Sequence, residues 1–544
     1  MKKLFSLFFF FVAISLSAQI NISPAQWQED LAFLKETINQ DYPFLFKKIT
    51  KEEWNNKANK LYDKIPSLPE HKIAAGIAEL VASFEYGHTV LSISDDLGFH
   101  MLPFNLYAFS DGVYVEGVIK EDNDILGAKV LRIDNTPIEE AIQKIRRVVP
   151  AENDQFHKAY GLNNLRVIEL LHATEIIDKM GDSVTFTFEK NGSSFQKTLK
   201  GMKNLGVPRA YGYVRPDSVW TSVRDQSSTP NYLKHLDKNY YYEMLSEQNT
   251  LYVRQSRVFD QEGQTIKDFY AEVFKYIEDN NVERLVIDVR LNGGGNNYNN
   301  KSVITGLIKS EAINQIGNLM VIIGRRTFSA CQNLVNEMSN YTNAVFVGEP
   351  TAENINFYGD NRPVELPNSK LTAYLSFAWW QDKAQWENGP WLAPHLAVEM
   401  SFEEYKNNED PVLETALSFD GEAFHLNPMV YITGLFTSGQ IGKLQSEVAS
   451  MVQDPRYSFF DFEGEFNKAG ENLLESKRGM ESMFVFNMTS QLYPKSARTH
   501  FNLGKTQAFL GQKDQAKASL MKAMELDVEG GMKEEIESLL RSME

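Results

Sequence analysis

One cysteine, Cys331, stands in a chain of 544 residues. A lone cysteine closes no internal disulfide and builds no cysteine zinc site, so the fold must rest on apolar cores. Positive charge is also short: 55 Lys and Arg against 72 Asp and Glu leave a net charge of −17. That balance disfavours nucleic acid and anionic membranes as partners, since both are bound through a surplus of Lys and Arg. The nine histidines include no H-E-x-x-H and no paired ligand spacing, which argues against a metal centre. G-x-G-x-x-G and the full G-x-x-x-x-G-K-[ST] are missing too, and no G-K-[ST] follows the glycine run at 293–295, which therefore does not read as a nucleotide cradle. No cofactor and no metal are expected. Beyond the first residues no apolar run reaches transmembrane length, and no integral membrane span is expected.

What is present begins with "MKKLFSLFFFFVAISLSAQ". Lys2 and Lys3 form a basic start, Leu4 to Ile14 an apolar stretch, and small residues lead to Ala18. This predicts a secretory signal peptide over 1–18, and hence an exported protein, periplasmic or secreted. No cysteine lies at the cut, so lipid attachment there is excluded. The remaining 526 residues (544 minus 18) predict three or four domains. A hydrophobic content of 43% with 35 Phe marks them as globular.

The chain reads as a multidomain α/β protein in five sections. Residues 19–95 read as an N-terminal helical domain. Ser23-Pro24 make a cap, and Trp27, Leu31, Leu34 and Ile38 keep helical spacing. "HKIAAGIAELVASF" is a second apolar-faced helix. Residues 96–205 alternate in the strand manner around one helical piece, and Asn191-Gly192 between two alternating runs predicts a hairpin. This is a small α+β module. Residues 206–239, rich in Pro, Ser, Arg and Tyr, read as a linker. Residues 240–425 alternate strand and helix, which implies crossovers and a largely parallel sheet, with ligands beyond the carboxyl ends of its strands. Residues 426–544 read as helical. Gly470 and Gly504 are 34 residues apart, and Leu503, Gly511, Ala516, Leu520, Ala523 and Pro494 match the tetratricopeptide pattern, a pair of repeats that would dock a protein partner or pack on the core.

"RTFSACQNLVNEM" (326–338) follows the apolar run "LMVIIG" (319–324). Leu334, Val335, Met338 and Tyr341 are helically spaced, so a helix should start near Ala330. Strand, turn, Ser329, helix is a place to present a nucleophile, because the helix start offers unpaired N–H groups to a developing anion. The same stretch also reads as a plain serine N-cap.

Two further stretches bear on that choice. "LVIDVRLNGGG" ends a strand with Asp288, Arg290, Asn292 and Gly293 to Gly295, and "GEPT" (348–351) ends another after Ser329. With "LVASFEYGHTVL" (80–91) they resemble, in order, the motifs of the S41 serine peptidases, the carboxyl-terminal-processing and tricorn-core group; Tyr86 stands where that family usually has Asp. The resemblance covers roughly 25–420 and implies an S41 peptidase core acting on peptide or protein substrates. It also implies a PDZ-like role for the 96–205 module. "GEPTAENINFYGD" lacks the lysine one branch uses; Asn354 holds the matching position, 25 after Ser329. The other branch implies His88 as general base, and a neutral imidazole is suited to take a serine proton near neutral pH. An acid should orient that ring. The resemblance points to Glu387, 58 after Ser329, with Asp382 and Asp360 as rivals. It implies oxyanion donors at Gly294 and Ala330, where glycine permits close backbone approach. Asp288 and Arg290 read as a brace, and Cys331 as a small buried group beside the nucleophile. Cys331-Gln332 and Pro394-His395-Leu396 depart from the family's usual S-A-S-E and P-D-I. A serine peptidase is therefore expected, and a catalytically silent peptide-binding protein on the same scaffold is the competing reading.

Overall fold

The structure is a computed structural model and describes residues 22–543, apart from 92, 94–96, 204, 385, 386, 422, 423 and 529. The expected signal segment lies outside the described residues. The chain forms two compact units of mixed α and β structure. One runs to Leu392 and includes Val398–Phe419; the other comprises Ala393–Ala397 and the chain from Asp420.

The first unit opens with three helices, Pro24–Asp41, Lys51–Lys64 and Glu70–Ala82. Their starts follow local chemistry: Ser23 with Gln26, and Thr50 with Glu53, form reciprocal capping boxes. Trp27, Leu31, Leu34 and Ile38 are buried, as their spacing predicts. They share one core with Val115, Val130, Phe186 and Phe188 of the following sheet and with Phe328 and Ala352 beside the site. The core therefore continues across the boundary expected at 95/96.

That sheet is antiparallel, in the order Trp220–Ser222, Gly112–Ile119, Lys129–Ile133, Ser183–Lys190, Ser193–Lys200. Asn191 and Gly192 turn the last hairpin with φ of 52° and 75°, the left-handed pair a two-residue turn needs. Trp220 pairs with Ile119, so part of the stretch expected to be a linker is built into the sheet.

The sheet that carries the site runs Tyr240–Leu245, Thr250–Gln255, Arg284–Asp288, Leu319–Ile323, Val345–Gly348. Its first pair is antiparallel and the next three pairings are parallel. Helices Ile266–Asn280, Asn300–Lys309 and Ala330–Tyr341 make the crossovers. Every residue of Leu319–Ile323 is buried, which is why the strand reads as an unbroken apolar run. The parallel strands point their carboxyl ends the same way, so 256–259, 291–295, 324–329 and 349–353 emerge at one edge. Below that edge Arg290 is the expected brace. Its guanidinium meets Asp288 at 2.9 Å and Asp410 at 2.8 Å, and Tyr252 donates to Asp288 at 2.8 Å.

The second unit is mainly helical, and its helices from Phe462–Glu475 to Lys533–Ser542 follow one another closely in sequence. A Cβ on Gly470 would stand 2.5 Å from Phe486, and one on Gly504 2.8 Å from Leu520, so each glycine seats a side chain of the next helix. Among the described residues no helix is long and apolar enough to cross a membrane.

Candidate active site

Ser329 sits at the start of helix Ala330–Tyr341 with φ 57° and ψ −130°. A left-handed backbone at a non-glycine residue costs about 1–3 kcal/mol and persists only where its surroundings hold it. Here the turn is held from several sides. Phe328 N–H donates to Asn292 O at 3.1 Å, and Ala352 N–H to Thr327 O at 3.0 Å. Thr327 Oγ1 accepts from Gly324 N–H and donates to Val289 O, each at 3.1 Å. The Ser329 side chain makes no capping hydrogen bond, so the N-cap reading has no bond to support it. Its N–H donates to Glu353 Oε2.

His88 reaches the same cleft from the loop after helix Glu70–Ala82. The loop is fixed on both sides of the ring. Gly87 N–H donates to Glu152 Oε1 at 2.9 Å, His88 O accepts from Asn361 Nδ2 at 3.1 Å, and Thr89 Oγ1 lies 2.7 Å from Ser376 Oγ. The imidazole stacks on Phe328, 4.7 Å between centroids. Its Nε2 is 3.5 Å from Glu353 Oε1, and both atoms are buried without a hydrogen bond. Burial lowers the His88 pKa to about 4, against the pull of Asp360, so the ring is neutral at physiological pH.

The carboxylate that faces His88 is thus Glu353, which the sequence reading passed over. It is fully buried, and burial together with the neighbouring Glu152 holds its pKa well above the usual carboxylate range. Asp360 lines the cleft beside His88. Glu387 is half-exposed and pairs with Lys383 at 3.3 Å, while Asp382 accepts from Asn333 at 2.6 Å. The structure thus brings Ser329, His88 and Glu353 together and gives Glu387 a different partner. The signal for Glu353 was one charged residue inside the small, uncharged stretch "PTAENINF", immediately before Asn354.

The two expected oxyanion donors differ in state. Ala330 N–H has no acceptor among the described residues. Gly294 N–H is engaged, donating to Asn292 Oδ1 at 2.9 Å. Gly294 has φ 96°, and a Cβ there would stand 2.6 Å from Ser329 Cβ and 2.9 Å from Ala330 N. Gly294→Ala should therefore displace the serine turn. The expected result is loss of Ser329 reactivity toward an acylating probe with the fold retained by circular dichroism.

These residues line an open cleft of about 790 Å3. Phe156, Phe259, Phe328, Phe377, Tyr160 and Tyr211 give it apolar walls. Cys331 is buried, and burial holds its thiol neutral, so it offers no thiolate. Among the described residues no group of three or more His, Cys, Asp or Glu is placed to hold a metal ion.

No family model and no curated protein matches the chain. Among solved structures it is similar to mature CPAF, at 12% identity and a TM-score of 0.47, over 73% of this chain and 98% of that one. It is also similar to the photosystem II D1 C-terminal processing protease, at 15% identity and a TM-score of 0.32, over 69% and 94%. The tricorn protease matches at 12% identity and a TM-score of 0.34, over 72% of this chain and 36% of that one.

Proposed function

We propose that this chain is an exported serine peptidase that hydrolyses peptide bonds through an acyl-enzyme on Ser329. One observation carries the reading: a strained serine at a helix start shares a cleft with a neutral histidine, which is backed by a buried carboxylate. Ser329 Oγ attacks the scissile carbonyl carbon. With Nε2 turned to Glu353, His88 uses Nδ1 to take the serine proton. Ala330 N–H receives the oxyanion, joined by Gly294 N–H once it leaves Asn292. Collapse breaks the C–N bond, and His88 returns the proton to the departing amine. A water then repeats the sequence, and the acid product leaves. Glu353 steadies the imidazolium and keeps the ring oriented. Glu387 remains the rival for that role. Export rests on the 1–18 segment, and the C-terminal helices are read as a docking surface for a protein partner.

The pH dependence follows from the carboxylates. Burial pushes Glu152 up to about 7 and holds Glu353 high as well, while His88 stays neutral well below that. Carboxylates with raised pKa are protonated below it, and a neutral Glu353 cannot stabilise an imidazolium. kcat/KM is therefore expected to fall as pH drops through the raised range in which Glu353 takes up its proton, well above the value near 4 at which His88 itself would titrate. A pH–rate profile with a mixture of unstructured peptides, read by mass spectrometry, checks both the activity and its limb.

A second reading, a peptide-binding protein without turnover, is favoured by one fact. His88 Nε2 makes no hydrogen bond, and none joins the Ser329 side chain to the ring among the described residues. Catalytic hydrogen bonds in ligand-free enzymes are often long and tighten with substrate. Intact peptides bound with no new termini would decide for this second reading.

A further inference from the structure

Glu152 lies outside the nucleophile and base loops, in "PAENDQF" (150–156), and no motif marks it. It is nonetheless buried. Its two carboxylate oxygens serve two different loops. Oε1 accepts Gly87 N–H at 2.9 Å, and Oε2 accepts Asn354 N–H at 3.0 Å. Gly87 immediately precedes His88, and Asn354 immediately follows Glu353. The next residue extends the tie: Asn153 Nδ2 donates to Thr351 O at 3.2 Å and to Pro390 O at 2.6 Å.

We infer that Glu152 is a positioning residue for the hydrolytic site: its carboxylate clamps the His88 loop to the Glu353 loop and sets a second buried acid against Glu353. The inference deepens the serine-peptidase reading and rests on it.

The clamp needs a carboxylate. The two backbone N–H donors come from separate loops and meet different oxygens of one rigid group, an arrangement that only Asp or Glu supplies without adding a donor. Removing one oxygen leaves a buried N–H unpaired and frees one loop. The consequence falls on the His88 to Glu353 spacing, already 3.5 Å between the facing atoms. A misplacement of about 1 Å at a reacting constellation costs on the order of 100-fold in rate.

The charge matters because both carboxylates are buried. Each negative charge opposes the other, so they do not ionise independently. The groups facing Glu152 are few. Lys48 attracts its charge, and Lys48 Nζ is itself anchored on Glu85 O at 2.7 Å and over the Tyr86 ring at 4.7 Å. Glu85, Tyr86 and Glu353 are the other titratable groups around it, and Arg146 acts on Lys48 from behind. Burial is the largest influence on Glu152 and pushes it up to about 7. Ionisation of Glu152 then holds the proton on Glu353 to higher pH.

Two variants separate the clamp from the charge. Glu152→Gln removes the charge and one acceptor. Glu152→Asp keeps the charge but is one methylene shorter and cannot reach both amides. The readouts are the rate of Ser329 labelling by a fluorophosphonate against pH, and the pH titration of the 13C-labelled His88 ring in a Ser329→Ala background, assigned with His88→Gln. Both variants are expected to label on the order of 100-fold more slowly. In Glu152→Gln the acid limb and the matching step in the His88 signal move to lower pH, because Glu353 has lost its negative neighbour. In Glu152→Asp they stay near the wild-type position. A folded Glu152→Gln protein with an unchanged rate, or with a slower rate and an unmoved His88 step, overturns the inference. If the wild type does not label at all, the peptidase reading fails. The His88 titration then still decides whether Glu152 and Glu353 are coupled as inferred.

Discussion

Ser329→Ala is expected to abolish peptide hydrolysis, by on the order of 10^6-fold if the serine and histidine act as a unit. The same change should leave thermal unfolding near wild type. A serine that merely capped its helix would behave oppositely, since losing a cap costs about 0.5–2 kcal/mol and touches no chemistry. Ser329 makes no such capping bond, and what holds its backbone is its N–H to Glu353 and the ties of the neighbouring turn. Alanine keeps all of these. His88→Gln should produce a comparable loss while preserving a flat side chain near Phe328. If Ser329→Ala retained turnover, the nucleophile would lie elsewhere.

The second large effect is expected at Glu353. Glu353→Gln keeps an oxygen for Ser329 N–H and removes the charge that faces His88 Nε2. Replacing a triad carboxylate by its amide typically costs about 10^4-fold in kcat. Stability should move the other way. A carboxylate whose pKa is raised by folding binds its proton more tightly in the native state, so its ionisation destabilises the fold as pH rises above the ordinary carboxylate value. Glu353→Gln removes that penalty, and its gain in melting temperature over wild type should grow between pH 5 and pH 8. Glu387→Gln breaks only a half-exposed pair with Lys383, a contact of the kind worth about 0–1 kcal/mol. Its turnover should stay near wild type, and a collapse there instead would return the acid's role to Glu387.

The parallel strands were legible because a strand buried on both faces is a plain apolar run, as in "LMVIIG" and "RLVID". The helix start at Ala330 was legible from spacing, and His88 and Ser329 from motifs on separate loops. Glu353 was not. Its place facing His88 depends on a loop folding back against the serine turn, and motif spacing points instead to Asn354 next door and to Glu387 far along. Glu152 was less legible still, because a clamp between two loops leaves no periodic trace in its own segment. The strands within 206–239 are only two or three residues long, too short for alternation to register. The shared core of Trp27, Phe186 and Phe328 is a tertiary fact that local patterns do not encode.

The proposed chemistry turns on activation of Ser329 by His88. The most direct measurement is fluorophosphonate labelling of the protein lacking residues 1–18, with the adduct located by mass spectrometry, beside Ser329→Ala and His88→Gln. A single adduct on Ser329 is expected in the wild type, none in Ser329→Ala and a greatly slowed one in His88→Gln. A folded wild-type protein that takes no label, or one labelled equally fast without His88, would contradict it.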